Sequence, residues 1–220
     1  MKGLLVKDFC LLRELKKMIL IVVFVSVVFT ATKTDTAFLT GYIVILSAMI
    51  AGMTISYDEM NGGLAFLMTL PVTRKQYVAE KYLAGLLILA AGVLYAAVMA
   101  MVQKLVNAES ISWKETILTI AICAVVGVIM LSFSIPADLK FGAEKGRIML
   151  IFGFMLIFFV IFFGLRFLES HDPERMDALM HWVNHVLAGT WIYPVCLFAG
   201  VLVLLISLIL SCRILEKKEF

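Results

Sequence analysis

Six long stretches of this sequence carry no charged residue. Their lengths constrain the fold more than any other feature. The stretches hold 15, 22, 22, 22, 18 and 27 residues, and the last, residues 186–212, is long enough to include an approach segment before its crossing. A helix rises about 1.5 Å per residue and the hydrocarbon core of a bilayer is about 30 Å thick, so a crossing needs about 20 apolar residues. We therefore predict an all-α membrane protein whose six transmembrane helices cover residues 18–32, 36–57, 82–103, 116–137, 148–165 and 190–212.

Composition supports lipid as the surroundings of most of the chain. Hydrophobic residues make up 63% of it and charged residues 16%, against about 45–50% apolar residues in soluble domains. This excludes a soluble enzyme, a disordered segment and a nucleic-acid-binding domain. The four cysteines have neither metal-ligand spacing nor a disulfide framework, so we interpret them as packing residues.

The flanking basic residues predict the orientation of the six crossings. With the N-terminus inside, 14 lysines and arginines fall on the cytoplasmic side and 5 on the outer side. Cytoplasmic loops carry such an excess of basic residues. Both chain ends are therefore expected in the cytoplasm, and the chain in a plasma membrane.

Residues 1–17 precede the first crossing and resemble an amphipathic helix. Leu4, Leu11 and Leu15 share one helical face, which Asp8 interrupts. We expect an interfacial helix along the inner leaflet. The alternative is a basic anchor that only fixes topology.

Residues 58–81 form the first cytoplasmic loop of this topology. It begins with the acidic pair Asp58 and Glu59, followed by the double glycine Gly62 and Gly63. An apolar run over residues 64–70 and then Pro71 come next. A short apolar helix between such breaks has no reason to face water unless something covers it. We interpret it as a docking surface for a cytosolic protein. The alternative is a helix lying flat in the lipid headgroups.

Two further features concern the cytoplasmic side. Thr73 and Gln76 have the spacing of a capping box, which predicts that the third spanning helix begins in the cytosol. The second loop, residues 136–147, contains Asp138, Lys140 and Glu144 together with two glycines and is expected to be small and mobile. It is either a second contact for the same partner or a solvated connection.

The outer segment, residues 166–189, predicts a short extracellular amphipathic helix. Asp172 has the position of a cap and Pro173 that of the first helical residue. The apolar face, a candidate lid, consists of Met176, Leu179, Met180, Val183 and Leu187. The polar face carries Asp177, His181 and His185 at successive i, i+4 steps, so a divalent metal is one interpretation and an ordinary polar face the other.

The sequence gives no sign of chemistry carried out by this chain. None of the first five apolar runs contains an acidic, basic or histidine residue, whereas a proton relay or an intramembrane hydrolase would need one. The chain also contains no GxxxxGK[ST] phosphate loop. If ATP is used, another chain binds it. A path lined by small and hydroxyl residues suits a large, partly apolar passenger better than an ion.

The order of several motifs resembles the permease subunits of type-2 ATP-binding cassette exporters. These motifs are the opening residues 1–9, the stretch 57–63, and residues 70–78 followed by Glu80, Lys81 and Tyr82. The resemblance extends in layout over the whole chain. It implies two paired permease chains, identical or different, and a separate ATPase that binds ATP and Mg²⁺.

The resemblance also assigns the coupling element. It implies that the ATPase docks on a coupling helix and its flanks, namely Asp58, Glu59, Gly62, Gly63, Leu64, Phe66, Leu67, Leu70, Pro71 and Arg74. Small six-span members are often similar to bacterial exporters of amphipathic or antimicrobial peptides, or of other hydrophobic compounds. The rival hypotheses are a non-transporting membrane scaffold or immunity protein and, third, a channel or secondary carrier.

Overall fold

The protein is a bundle of helices. The computed structural model describes residues 2–32, 34–59, 63–69, 73–107, 113–171, 176 and 192–217. Its helices are α1 (Lys2–Glu14), α2 (Lys16–Ala31), α3 (Thr36–Glu59), α4 (Gly63–Thr69), α5 (Arg74–Asn107), α6 (Trp113–Phe141), α7 (Ala143–His171) and α8 (Ile192–Lys217). No β-strand occurs within these ranges, so the predicted all-α class is confirmed.

Within the described ranges, five helices are long and apolar enough to cross a membrane. They are α3, α5, α6, α7 and α8. The predicted first crossing, α2, is not among them because it has only 16 residues, about 24 Å of helix. Its last turn is closed by the Thr32 hydroxyl, which donates to the carbonyls of Val28 and Phe29. A sixth crossing therefore stays a prediction.

The loop predicted over residues 136–147 is much shorter in the structure. Helix α6 continues through Pro136 to Phe141, and Gly142 alone separates it from α7. Gly142 has φ of +81°, a conformation that glycine adopts without strain. The expectation of a loop over residues 136–147 is thus wrong, because a proline was read as the end of the helix.

A neighbouring helix satisfies the carbonyl that Pro136 leaves unpaired. Proline has no N–H to donate to the carbonyl four residues earlier, which here belongs to Ser132. The Ser207 hydroxyl of α8 donates to that carbonyl instead. Ser207 in turn bonds Tyr82 of α5, with 2.5 Å between the two oxygens. This hydroxyl chain joins α5, α6 and α8 and keeps α6 continuous.

Two buried clusters hold the bundle together. The cluster at the α4 end contains Ile55, Tyr77, Leu131 and Leu139 among its members. The other lies farther along α3 and α5, around Ile43. In contrast, none of the described side chains of residues 151–171 in α7 is buried, and α7 packs mainly on α6.

Candidate functional site

Helix α4, the predicted docking helix, lies against the end of α3 with one face in the protein. Leu64 is 4% exposed and belongs to the core cluster at this end, and Leu67 packs against the same cluster. Phe66 is 67% exposed. A Cβ on Gly63 would lie 2.8 Å from the Asp58 carbonyl oxygen, so glycine permits this close approach. Leu64 and Leu67 therefore hold the helix, and Phe66 is its exposed apolar group.

A buried ion-pair network of Lys7, Asp8, Asp58 and Lys81 lies beside the base of α4. The Lys81 ammonium donates to both oxygens of Asp8, at 2.8 and 2.7 Å. It also lies 2.8 Å from Asp58 Oδ2. The side chain of Lys81 has no exposed surface, and those of Asp8 and Asp58 are 3% and 4% exposed. The network thereby fastens α1, α3 and α5 together.

Further groups complete the surroundings of this network. Lys7 donates to Asp58 Oδ1 at 2.5 Å, and the Tyr77 hydroxyl donates to Asp58 Oδ2 at 3.0 Å. Glu80 is 2% exposed, and one of its oxygens lies 4.0 Å from Lys81 Nζ. Neither carboxylate oxygen of Glu80 has a hydrogen-bond partner in the described part of the chain. Three acidic side chains, those of Asp8, Asp58 and Glu80, thus face two basic ones, those of Lys7 and Lys81.

Arg74, predicted to flank the docking helix, binds the end of α8. Its guanidinium donates to the carbonyls of Leu215 and Glu216, at 2.9 and 2.6 Å. These carbonyls lie in the last turn of the helix, where a cation is favourable. Next to it, Lys75 lies 3.5 Å from the Glu216 carboxylate. These bonds therefore connect the start of α5 to the last turn of α8.

The predicted capping box is present at the start of α5. The backbone N–H of Gln76 donates to the Thr73 hydroxyl at 3.3 Å, and the backbone N–H of Thr73 donates to the Gln76 side-chain oxygen at 3.2 Å. The helix begins at Arg74, eight residues before the apolar run at 82. Its polar first turns carry Tyr77, Glu80 and Lys81 to the network.

The remaining residues predicted to contact the partner differ in burial. Glu59 is half-buried near Gly142, Asp138 is 4% exposed and points inward, and Lys140 is exposed. The side chain of Glu144 is outside the described residues, as are Gly62, Leu70 and Pro71. Of the second predicted contact, Lys140 thus remains as a described surface group.

Most of the outer segment lies outside the described residues. Residues 166–171 of it are the last turns of α7, and Met176 is described and half-buried. The metal interpretation at Asp177, His181 and His185 and the lid residues Leu179, Met180, Val183 and Leu187 therefore stay predictions. Within the ranges that the structure describes, no group of three histidine, cysteine or acidic residues is placed to hold a metal.

The ion-pair network is the feature that sequence reasoning missed. Asp8 counted only as a break in an apolar face and Lys81 only as a topology charge. The available signal was an acidic residue on the apolar face of the first helix, together with Asp58 and Lys81 at the edges of apolar runs. Charged residues in such places are rare unless they are paired.

Comparison with known proteins agrees with this architecture. The model of a family described as "ABC-2 family transporter protein" matches residues 3–216. A search of curated proteins gave no match. The match covers nearly the whole chain, including α4, the network and all five long apolar helices. The chain therefore belongs to the ABC-2 family of transporter proteins, as a membrane-embedded permease that implies an ATPase partner.

Proposed function

We propose that this chain is the permease subunit of an ATP-driven exporter and that α4 is the helix on which its ATPase docks. Permeases of the family are transport subunits and generally not catalytic, so nucleotide hydrolysis belongs to the partner. The observation that carries the proposal is that α4 buries one face in the protein and exposes a large apolar side chain on the other. Leu64 is in the core, and Phe66, two residues later, is 67% exposed.

The exposed aromatic group fits a docking anchor. A large apolar side chain on an exposed helix face is costly to leave in water, and aromatic residues are common among the few that dominate binding energy at interfaces. On the other side, α4 rests on the end of α3, which the network joins to α1 and α5. A force on Phe66 would thus reach three helices through short, buried contacts.

The finer features of the proposal follow the sequence. We propose six crossings with both ends in the cytoplasm, a pair of permease chains in a bacterial plasma membrane, and a lid formed by the outer segment. The passenger is an amphipathic or antimicrobial peptide, or another hydrophobic compound, moved outward. Passage of a labelled peptide into inverted vesicles only when ATPase and ATP are both present would distinguish an exporter from a scaffold or immunity protein.

Replacing Phe66 tests the docking proposal directly. Phe66→Ala keeps the helix and removes the anchor, so we expect the affinity for the ATPase to fall by a factor of about 30, the effect of an interface hot spot of about 2 kcal/mol. The assay is co-purification from native membranes, with the captured subunit identified by labelling with azido-ATP. Thr69→Ala is the matched control, because Thr69 is an exposed residue of the same helix.

The variants separate docking from folding. Both should show wild-type melting and helix content, because neither side chain is buried. Undiminished capture of the azido-ATP-labelled subunit by Phe66→Ala would refute docking at this site. An equal loss in Thr69→Ala would also count against Phe66 as the anchor.

A further inference from the structure

Glu80 is a buried acidic residue of α5 that receives no hydrogen bond. It is 2% exposed, and neither of its carboxylate oxygens has a hydrogen-bond partner in the described part of the chain. Burying an ionised carboxylate is costly unless the group is paired and hydrogen-bonded, and such a group can bind a proton and become neutral instead. The groups around Glu80 therefore decide whether it is ionised.

The Lys81 ammonium has no N–H left to donate to Glu80. An ammonium group has three donors. Those of Lys81 serve the two oxygens of Asp8, at 2.8 and 2.7 Å, and Asp58 Oδ2, at 2.8 Å. The Glu80 carboxylate is farther away, at 4.0 Å. Lys81 thus compensates the two aspartates more directly than it compensates Glu80.

The other groups of the network also serve the aspartates. The charged and titratable groups around Glu80 come from three helices: Lys7 and Asp8 of α1, Asp58 of α3, and Tyr77 and Lys81 of α5. Lys7 and the Tyr77 hydroxyl both donate to Asp58. Three carboxyl groups therefore share two ammonium groups, and Glu80 is the one without a donor.

The Asp8 carboxyl group lies within hydrogen-bonding reach of Glu80. Two ionised carboxylates only accept hydrogen bonds, so a bond between them requires a proton on one of the two. Two carboxylates that share a site also disfavour each other's charge. Asp8 is the better supported anion, because both of its oxygens accept from Lys81. The geometry therefore favours the proton on Glu80.

A metal ion does not fit in the place of this proton. Among the residues that the structure describes, no three histidine, cysteine or acidic side chains are placed to hold one. The ammonium groups of Lys7 and Lys81 would also repel a second cation. A proton needs no additional ligands and makes Glu80 a hydrogen-bond donor. It therefore removes the uncompensated charge and supplies the missing hydrogen bond together.

We propose that Glu80 and Asp8 form a proton-binding site, in which Glu80 carries the proton and its O–H donates to the Asp8 carboxylate. The site joins α5 to α1 beside the base of the docking helix. Loss of the proton places two negative charges in contact, so the joint between these helices weakens as the pH rises. The site requires neither ATPase docking nor export, so its failure and the failure of the proposed function are distinguishable.

The pH dependence of stability tests the site in the full chain. A glutamate in the unfolded chain has an ordinary pKa of about 4.3, so above that pH the folded chain holds a proton that the unfolded chain has released. Between about pH 5.5 and 6.5, the folding equilibrium constant of the wild type should therefore fall by up to about tenfold per pH unit relative to Glu80→Gln. SDS titration in mixed micelles measures this ratio. Glu169→Gln, which removes an exposed acidic group from α7, should keep the wild-type pH dependence.

Infrared spectroscopy tests the wild-type chain without a substitution. A protonated carboxyl group has a C=O stretching band that a carboxylate lacks, and labelling with carbon-13 glutamate shifts the band only if a glutamate carries the proton. Exposed glutamates are ionised at about pH 6. We therefore expect an isotope-shifted acid band from the wild type in nanodiscs at this pH, and its loss in Glu80→Gln.

Two results would overturn the proposal. One is the absence of an isotope-shifted acid band from the wild type, which would mean that Glu80 is ionised beside Lys81 or that Asp8 carries the proton. This measurement decides the matter even if Glu80→Gln fails to fold. The other is an equal pH dependence of stability in the wild type and in a folded Glu80→Gln.

Discussion

Replacing Lys81 by methionine should destabilise the protein strongly. The side chain of Lys81 has no exposed surface, and its ammonium contacts Asp8 at 2.7 Å and Asp58 at 2.8 Å. Without it, Asp8 retains Lys7 at 3.5 Å, and Asp58 retains Lys7 and the Tyr77 hydroxyl. Two carboxylates would then share one half-buried ammonium.

The size of the effect follows from this geometry. Removing one partner of a buried ion pair costs about 3–5 kcal/mol, because a buried charge is left without compensation. This lowers the folding equilibrium constant by a factor of about 10² to more than 10³ at 1.4 kcal/mol per tenfold. The free energy of unfolding can be measured by titration with SDS in mixed micelles, followed by far-UV circular dichroism.

Lys75→Met is the matched control. Lys75 is on the same helix and lies 3.5 Å from Glu216, but the two side chains are 75% and 48% exposed. Exposed pairs contribute about 0–1 kcal/mol. The double variant Asp8→Asn/Lys81→Met should lose less than the sum of the single losses, since residues of one network are not additive. A loss in Lys81→Met no larger than in Lys75→Met would refute the reasoning.

Two further predictions concern Glu80 and Gly92 of α5. Glu80→Gln should raise the melting temperature at pH 8, because it removes a buried charge whose oxygens have no hydrogen-bond partner in the described chain; a lower value would mean that attraction to Lys81 outweighs this cost. Gly92→Ala should cost about 1–3 kcal/mol by overpacking, since its Cβ would lie 2.5 Å from Ser47 Cβ. Gly153→Ala, with nothing within 4 Å of its Cβ, should melt like wild type, and equal melting of both glycine variants would contradict the close contact.

Local signals in the sequence predicted part of the architecture correctly. Charge-free runs located the five long apolar helices, and the Thr73–Gln76 spacing located the start of α5. Each depends only on neighbours along the chain. Local reasoning failed at Pro136, because the effect of this proline depends on a distant residue. The hydroxyl of Ser207, 75 residues from Ser132 in the chain, donates to the carbonyl that the proline leaves unpaired.

The candidate site was only half predictable for the same reason. A short apolar helix between residues 63 and 70 was visible from composition and breaks. Which of its faces is exposed was not, because that depends on α3 packing against it. Likewise, Asp8 and Lys81 are 73 residues apart. Nothing in either local sequence states that the two meet, although an acidic residue on an apolar face demands some partner.

The close contact of Gly92 with Ser47 divides α5 into two arms. A helix rises about 1.5 Å per residue, so from Arg74 to Gly92 is about 27 Å and from Gly92 to Asn107 about 22 Å. Helix α5 is a continuous helix over this length. If it tilts about this contact as a rigid rod, a small push at one tip swings the opposite tip almost equally far the other way. A rigid tilt of this kind would transmit motion from one end of α5 to the other without a hinge in the middle of the membrane.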